Sequence, residues 1–335
     1  MGEYLPFNKA QEGIAEALVR VADHVSTQLR AGAIRSLGPI KNPLFFGMGA
    51  TYAVLGLPVF ELRQAGIGAG RCYASEVFPT VVPQQYDAII AASVEGRSVE
   101  TIEALVGVDL DRRIAVLNVT GTPLAKVASA VVNTGDELDS MATTIGYCSM
   151  AMALSMVAHD IMGVDSRPQW DGIDQYVRLG QDLGTALAER ISAPLAQVGA
   201  ADFVASLACA SSADAGGLFF REIARVPSSV LTTRNYLHGE MESAGNTLHV
   251  IYGDDRELPM AAKLASRGHT TVLITTADVP EAENLFPVKL PTVPLGVRAV
   301  MEAVILQKLC TQAAALRGLD PDEFLYEEQD TKDKS

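Results

Sequence analysis

At 335 residues, with 48% hydrophobic residues, 20% charged residues and 28 glycines, the chain is long enough for two linked halves and is not the composition of a disordered polymer. A formal net charge of -14 excludes a nucleic-acid binder that works through a basic face. No uninterrupted apolar run approaches the ~18 residues of a membrane span, and the opening stretch MGEYLPFNKAQEG lacks the basic-then-apolar order of a secretory signal, so a cytoplasmic protein without a membrane partner is expected.

Phe7 to Ser36 carries apolar residues at helical spacing (Ile14, Leu18, Val21, Val25, Leu29), which predicts one or two helices ahead of the first sheet. Leu44-Phe45-Phe46, then Gly47-Met48-Gly49-Ala50-Thr51, then a helical pattern to about Gln64 reads as strand, glycine turn and helix. Arg71 to Ala74 is a short strand. Tyr86 to Thr101, YDAIIAASVEGRSVET, is the stretch that organises this half: a buried strand over Ala88–Ala92, the polar loop Ser93-Val94-Glu95-Gly96-Arg97-Ser98, and a helix behind it to about Val108. Such a junction is an anion site in the making, because free backbone N–H groups and the positive end of the helix dipole face the loop. The plainer reading has Ser98 only capping the helix.

Strands over Ile114–Asn118 and Ala130–Asn133 follow, then a long helix with few charges over Met141–Met162. Val164 to Trp170, with Gly163 before it and Pro168 within it, reads as a connector. A helical stretch from Asp171 to about Ala196 leads into a second round of strand and helix. Strands are expected over Phe203–Leu207, Ser229–Leu231, Leu248–Tyr252, Thr271–Ile274 and Val288–Leu290. Helices are expected over Ala213–Val226, Pro259–Arg267 and Pro294–Arg317. Apolar strands alternating with helices predict parallel sheets covered on both faces, and the repeated order predicts a duplicated, doubly wound α/β unit.

In the second half the loop matching the serine loop is Gly253-Asp254-Asp255, whose carboxylates repel an anion, and the glycine turn is replaced by Ala208-Cys209-Ala210. Only the first half is equipped to hold a phosphate. Cys72, Cys148, Cys209 and Cys310 stand far apart without a C-x-x-C pair, and the five histidines, at 24, 159, 238, 249 and 269, show no metal-ligand spacing. Reduced, mostly buried thiols and no metal are expected.

Three motifs together resemble the sugar isomerase (SIS) domain family: Gly47-Met48-Gly49-Ala50-Thr51 against G-x-G-T/S-S, Tyr73-Ala74-Ser75-Glu76 against A-S-E, and Ser93 to Thr101 against S-x-S-G-x-T/S-x-D/E-T. The tandem arrangement, over about Leu44 to Leu319, is similar to the isomerase half of glucosamine-6-phosphate synthase and to stand-alone SIS deaminases and fructosamine-6-phosphate deglycases. The resemblance implies two flavodoxin-like subdomains, at 37–163 and 197–318, flanked by N-terminal helices (1–36), a connector and helix (164–196) and a tail (319–335). It implies a sugar or sugar phosphate contacted by Gly49, Thr51, Ser93, Val94, Glu95, Arg97, Ser98, Thr101, Ala142 and Thr143, with no cofactor. Phe220-Arg221-Glu222-Ile223 and Leu237-His238-Gly239-Glu240 stand where the family has its K-E-I glutamate and H-G-P histidine. By resemblance Glu222 moves a proton between C1 and C2 of an open-chain sugar, and His238 assists ring opening from the partner subunit of a homodimer with a shared active site. A surface ion pair for Glu222 and a backbone-bound loop position for His238 are the plainer alternatives.

The departures are as informative. Glu95 replaces the loop's second serine, so either its side chain turns outward, or the ligand brings an amine, or the ligand carries no phosphate. The A-S-T-K segment of the synthase is Met141-Ala142-Thr143-Thr144 here. No lysine in Leu319–Gln329 matches the synthase's Schiff-base lysine, with Lys332 and Lys334 alone nearby, and no glutamine-hydrolysing domain is recognised before Leu44. The expected activity is a deglycase or deaminase acting on an aminated ketose or its phosphate. An aldose–ketose sugar-phosphate isomerase and a non-catalytic sugar-phosphate-binding regulator are the alternatives.

Overall fold

The computed structural model describes residues 4–326 and 330–333, so Lys334 lies outside the described residues. The chain forms two compact units, residues 1–174 with 325–335, and residues 175–324. The C-terminal stretch therefore belongs with the N-terminal half.

In the first unit, β1 (Pro43–Gly47), β2 (Gly70–Tyr73), β3 (Ala88–Ser93), β4 (Arg113–Leu117) and β5 (Ala130–Asn133) pair in parallel in the order β2-β1-β3-β4-β5. Every residue of β1 and β3 is buried, which is why both read as unbroken apolar runs and not as alternations. Leu44 aligns with Ile89, and Ile89 with Arg113, so Leu44, Phe46, Ile89, Ala91, Ala115 and Leu117 share one face of the sheet, packed against Leu105 of the helix Val99–Val106. The long helix Phe7–Arg30 packs against the helix Ile145–Ile161.

In the second unit, β6 (Ala200–Ala205), β7 (Ser228–Thr232), β8 (Thr247–Tyr252), β9 (Thr271–Thr275) and β10 (Leu285–Lys289) are also all parallel, in the order β10-β9-β8-β6-β7. Counted within its own unit, each sheet has the strand order 2-1-3-4-5, so the duplication read from the sequence is a duplication of topology. In such sheets ligands gather beyond the carboxyl ends of the strands where the winding direction reverses. That point lies between β1 and β3 in the first unit and between β6 and β8 in the second, so the Gly47–Thr51 turn and the serine loop both open onto it.

Several predicted boundaries move. The helix expected over Met141–Met162 starts at Ile145, because the Asp139 carboxylate caps it, accepting the N–H groups of Thr144, Ile145 and Gly146 at 2.9 to 3.2 Å. The apolar surface of this helix is not open to a partner subunit: residues 145–158 are all buried, and the helices Phe7–Arg30 and Gly56–Gln64 lie against it. The helical stretch after Asp171 breaks into Ile173–Arg190 and Ser192–Gln197, since Pro194 has no N–H to give the Arg190 carbonyl. A helix missed in the sequence, Thr233–Leu237, is capped by the Thr232 side chain. By length and composition the helix Leu295–Leu316 could cross a membrane, but it is mostly buried and carries Arg298 and Glu302. All four cysteines are buried, and none is joined to another in a disulfide.

Candidate functional site

Beyond β3 the chain turns on Gly96, whose φ of +63° belongs to the left-handed region and whose Cα faces Thr122. Ser93 is buried, and its Oγ accepts the Gly96 N–H at 3.1 Å. The Val94 carbonyl accepts the N–H groups of Asn118 and Val119. Ser98 caps the helix Val99–Val106, its Oγ accepting from the Thr101 N–H and the Thr101 hydroxyl, and it donates to Glu100 at 3.1 Å. The plainer reading of Ser98 is thus the one its bonds fit, and Thr101 is fully buried behind it.

The other predicted contact residues of the first unit gather close by. Gly49 opens the helix Gly49–Val54 at φ +53°, and Thr51 is buried with its methyl beneath Gly47, beside the Ala92 carbonyl. Ala142 is buried, its carbonyl taken by the Ser140 hydroxyl, and the Thr143 hydroxyl donates to Asp139 at 2.7 Å. The Val94 side chain and the Thr143 hydroxyl crowd the same face of Gly146, so the serine loop and the Thr143 segment are neighbours. Of the A-S-E motif, Glu76 serves its own turn by accepting the Tyr73 N–H.

Glu95 is held by segments from both ends of the chain. Its carboxylate accepts the Tyr4 hydroxyl at 2.6 Å and the Lys332 ammonium at 2.8 Å. Burial pulls this carboxyl upward, but the Lys332 and Tyr4 hydrogen bonds outweigh it and hold Glu95 below the usual carboxylate range. Lys332 arrives with a short antiparallel pairing between the tail and the loop. The Val99 N–H donates to the Thr331 carbonyl, the Asp333 N–H donates to the Arg97 carbonyl, and the Arg97 guanidinium reaches the Asp333 carbonyl at 3.2 Å. Sequence reasoning missed Tyr4 and Asp139. An acid a few residues ahead of Thr143-Thr144-Ile145-Gly146 was a legible capping signal, whereas nothing near Tyr4 pointed to Glu95.

In the second unit Glu222 is the last residue of the helix Ala210–Glu222. The Arg221 guanidinium goes to the Ser228 carbonyl, so the ion pair suggested by the plainer reading does not form, and the Glu222 carboxylate has no hydrogen-bond or ion-pair partner among the described residues. Burial pushes its carboxyl up to about 7, and a helix C-terminus disfavours the anion in the same sense. His238 is exposed, directly after the helix Thr233–Leu237. Tyr236 anchors that helix: its ring is fully buried, its hydroxyl donates to Asp202 at 3.1 Å, and it lies 3.0 Å from His249 Nδ1. His249 itself is pushed down to about 4 by burial and by the neighbouring His269, which leaves it neutral and unsuited to proton shuttling near pH 7.

The loop after β8 is closed by its own chain. Asp254 pairs with Arg298, which also bonds Glu302 at 2.8 Å, and Glu302 accepts the Ser212 hydroxyl at 2.5 Å.

No family model and no curated protein matches the chain. Solved structures do. The C-terminal domain of glucosamine-fructose-6-phosphate aminotransferase from Francisella tularensis superposes with a TM-score of 0.79 at 16% identity, covering 92% of this chain and 96% of that one. The tagatose-6-phosphate ketose/aldose isomerase of Escherichia coli gives 0.75 at 12% identity, covering 98% and 100%. The glucosamine-6-phosphate deaminase of Thermotoga maritima gives 0.69 at 18%, covering 93% and 97%. This chain has the tandem sugar-isomerase fold. At such identities the likeness fixes the fold, and the chemistry has to be argued from the residues in place.

Proposed function

We propose that the protein is a sugar-isomerase-fold deglycase or deaminase that releases an amine from an aminated ketose, with Glu222 as the proton-transfer base. The observation that carries this reading is the unpartnered carboxylate of Glu222, raised by burial to about 7 at a position matching the family glutamate. A base poised near neutrality both takes and returns a proton efficiently.

On a 1-amino-1-deoxyketose, Glu222 removes a proton from C1 and returns it to C2. The electron pair left at C1 forms the C1=C2 bond while the C2 carbonyl pair goes to its oxygen, which takes a proton. On protonation of C2 the C1=C2 pair becomes the C2–H bond and the nitrogen lone pair forms the C1=N bond. Water adds to that imine, and the C–N bond breaks to give an aldose and a free amine. His238, exposed on its loop, assists ring opening, and the reading has it act from the partner subunit of a homodimer.

Incubation with fructosamine and with its 6-phosphate, followed by assay of free amine, tests the activity. Interconversion of an aldose and a ketose phosphate without amine release favours the isomerase alternative, and ligand binding without either product favours the regulator. Mixing Glu222→Gln with His238→Gln chains tests the shared site: activity returns to about a quarter of wild type if the two residues serve one site from two subunits, and stays at the background of the single variants if they do not.

A further inference from the structure

The helix Ile145–Ile161 begins beside Thr143 at the candidate site, and at its other end lies a cavity of about 30 Å³, room for a group the size of water. Three segments of the first unit enclose it: the last turn of the helix Phe7–Arg30, the last turn of Ile145–Ile161, and the connector from Val164 to Ser166. Two buried oxygens line it without a hydrogen-bond partner among the described residues: Asp160 Oδ2, on a side chain only 6% exposed, and Ser26 Oγ. The other Asp160 oxygen pairs with Arg35 at 2.5 Å, and Arg30 pairs with Asp165 at 2.8 Å. A carboxylate oxygen withdrawn from water is costly to leave without a donor or a cation.

We propose that this cavity is a binding site for a monovalent cation close to water in size, potassium or ammonium, held by Asp160 Oδ2 and Ser26 Oγ where the C-terminal ends of the two helices meet. Both helices turn the negative ends of their dipoles toward it, which favours a cation over a neutral occupant. The donors are hard oxygens with a single carboxylate among them, and that carboxylate is shared with Arg35. Such a set lacks the charge that calcium or magnesium takes. No cluster of three histidines, cysteines or acids that could hold a metal ion forms among the described residues, so a transition metal has no ligand set here. Arg30 and Arg35 do not cancel the attraction: each faces a carboxylate and is more than half exposed, so solvent screens its charge, whereas the Asp160 oxygen and the helix ends are buried. A cation bound there ties the two helices to the connector.

Thermal unfolding of the full chain tests this, followed by the fluorescence of Trp170, the chain's only tryptophan, which is buried shortly after Ser166. Ionic strength is held constant while tetramethylammonium chloride, whose cation is too large for the cavity, is exchanged for potassium or ammonium chloride. The melting temperature is expected to rise saturably, by about 3–5 °C at roughly ten times the dissociation constant, and the larger response names the cation the site prefers. Asp160→Asn, which keeps the volume, is expected to abolish the rise, and Ser26→Ala to weaken the cation by about three- to tenfold. Arg35→Gln breaks the same ion pair as Asp160→Asn but leaves the carboxylate, so the response persists and tightens. If Asp160→Asn does not fold, Ser26→Ala and Arg35→Gln carry the test through their opposite shifts. Equal melting temperatures in potassium, ammonium and tetramethylammonium, the result for a cavity that takes water alone, overturn the proposal. So does a response that survives Asp160→Asn, is unchanged in Ser26→Ala, or is lost in Arg35→Gln.

Discussion

The loops after β3 and β8 occupy the same position in two copies of one fold, yet they are held in opposite ways. After β8, Asp254 reaches the Thr275 and Thr276 hydroxyls and joins Arg298, Glu302 and Ser212 in a chain of largely buried groups that ties the loop to the helix Leu295–Leu316. Burial raises the Asp254 carboxyl, but the Arg298 and threonine hydrogen bonds win and bring it down to about 2, so it stays ionised. After β3, the charged group Glu95 takes its hydrogen bonds from distant segments, Lys332 of the tail and Tyr4 of the N-terminus. One loop is a joint of largely buried groups, and the other is tied by an ion pair at the surface. Of the two aspartates that read in the sequence as repelling an anion, Asp254 answers to a cation of its own chain.

That contrast breaks first at Arg298. Arg298→Ala strands the carboxylates of Asp254 and Glu302, and a loss of about 3–5 kcal/mol is expected in urea unfolding. A loss as small as that of a surface pair shows that the second loop is not a structural joint. Glu222→Gln acts in the other direction. A raised carboxyl costs the fold nothing below pH about 4.5 and its full penalty above about 7, so the substitution stabilises the chain by up to roughly 3 kcal/mol at pH 8 and not at pH 4. Gly96→Ala sharpens the account of the first loop, since its Cβ runs into Thr122 Oγ1 at φ +63°, whereas at Gly49, with φ +53°, the added methyl meets open space. About 2 kcal/mol or more is expected at Gly96 and about 1 kcal/mol at Gly49. Tyr236→Phe removes the Asp202 hydrogen bond under the His238 helix and costs about 1–2 kcal/mol. Smallest is Lys332→Ala, within about 0.5 kcal/mol in stability, because its ion pair with Glu95 is exposed.

Apolar strand runs and glycine turns made the doubly wound architecture and its duplication legible, because β1, β3, β8 and β9 are buried on both faces and their composition says so. The serine loop and its helix cap were legible for the same reason: each is local in sequence. What escaped was non-local. The Asp139 cap that shortens the helix Ile145–Ile161, the burial of that helix's apolar face by Phe7–Arg30 and Gly56–Gln64, and the seating of Tyr4 and Lys332 on Glu95 all depend on segments far apart in the chain. Of the three explanations the sequence left open for Glu95, none named the partners it has, Tyr4 and Lys332.

The pH dependence of amine release from fructosamine by the wild-type chain, set beside that of Glu222→Gln, tests the central claim most directly. The account predicts a kcat/KM that climbs with pH to a plateau above about 7, the value to which burial raises Glu222, and a fall of about 100- to 10,000-fold in kcat for the variant. A variant that keeps the wild-type kcat and the same pH profile contradicts it.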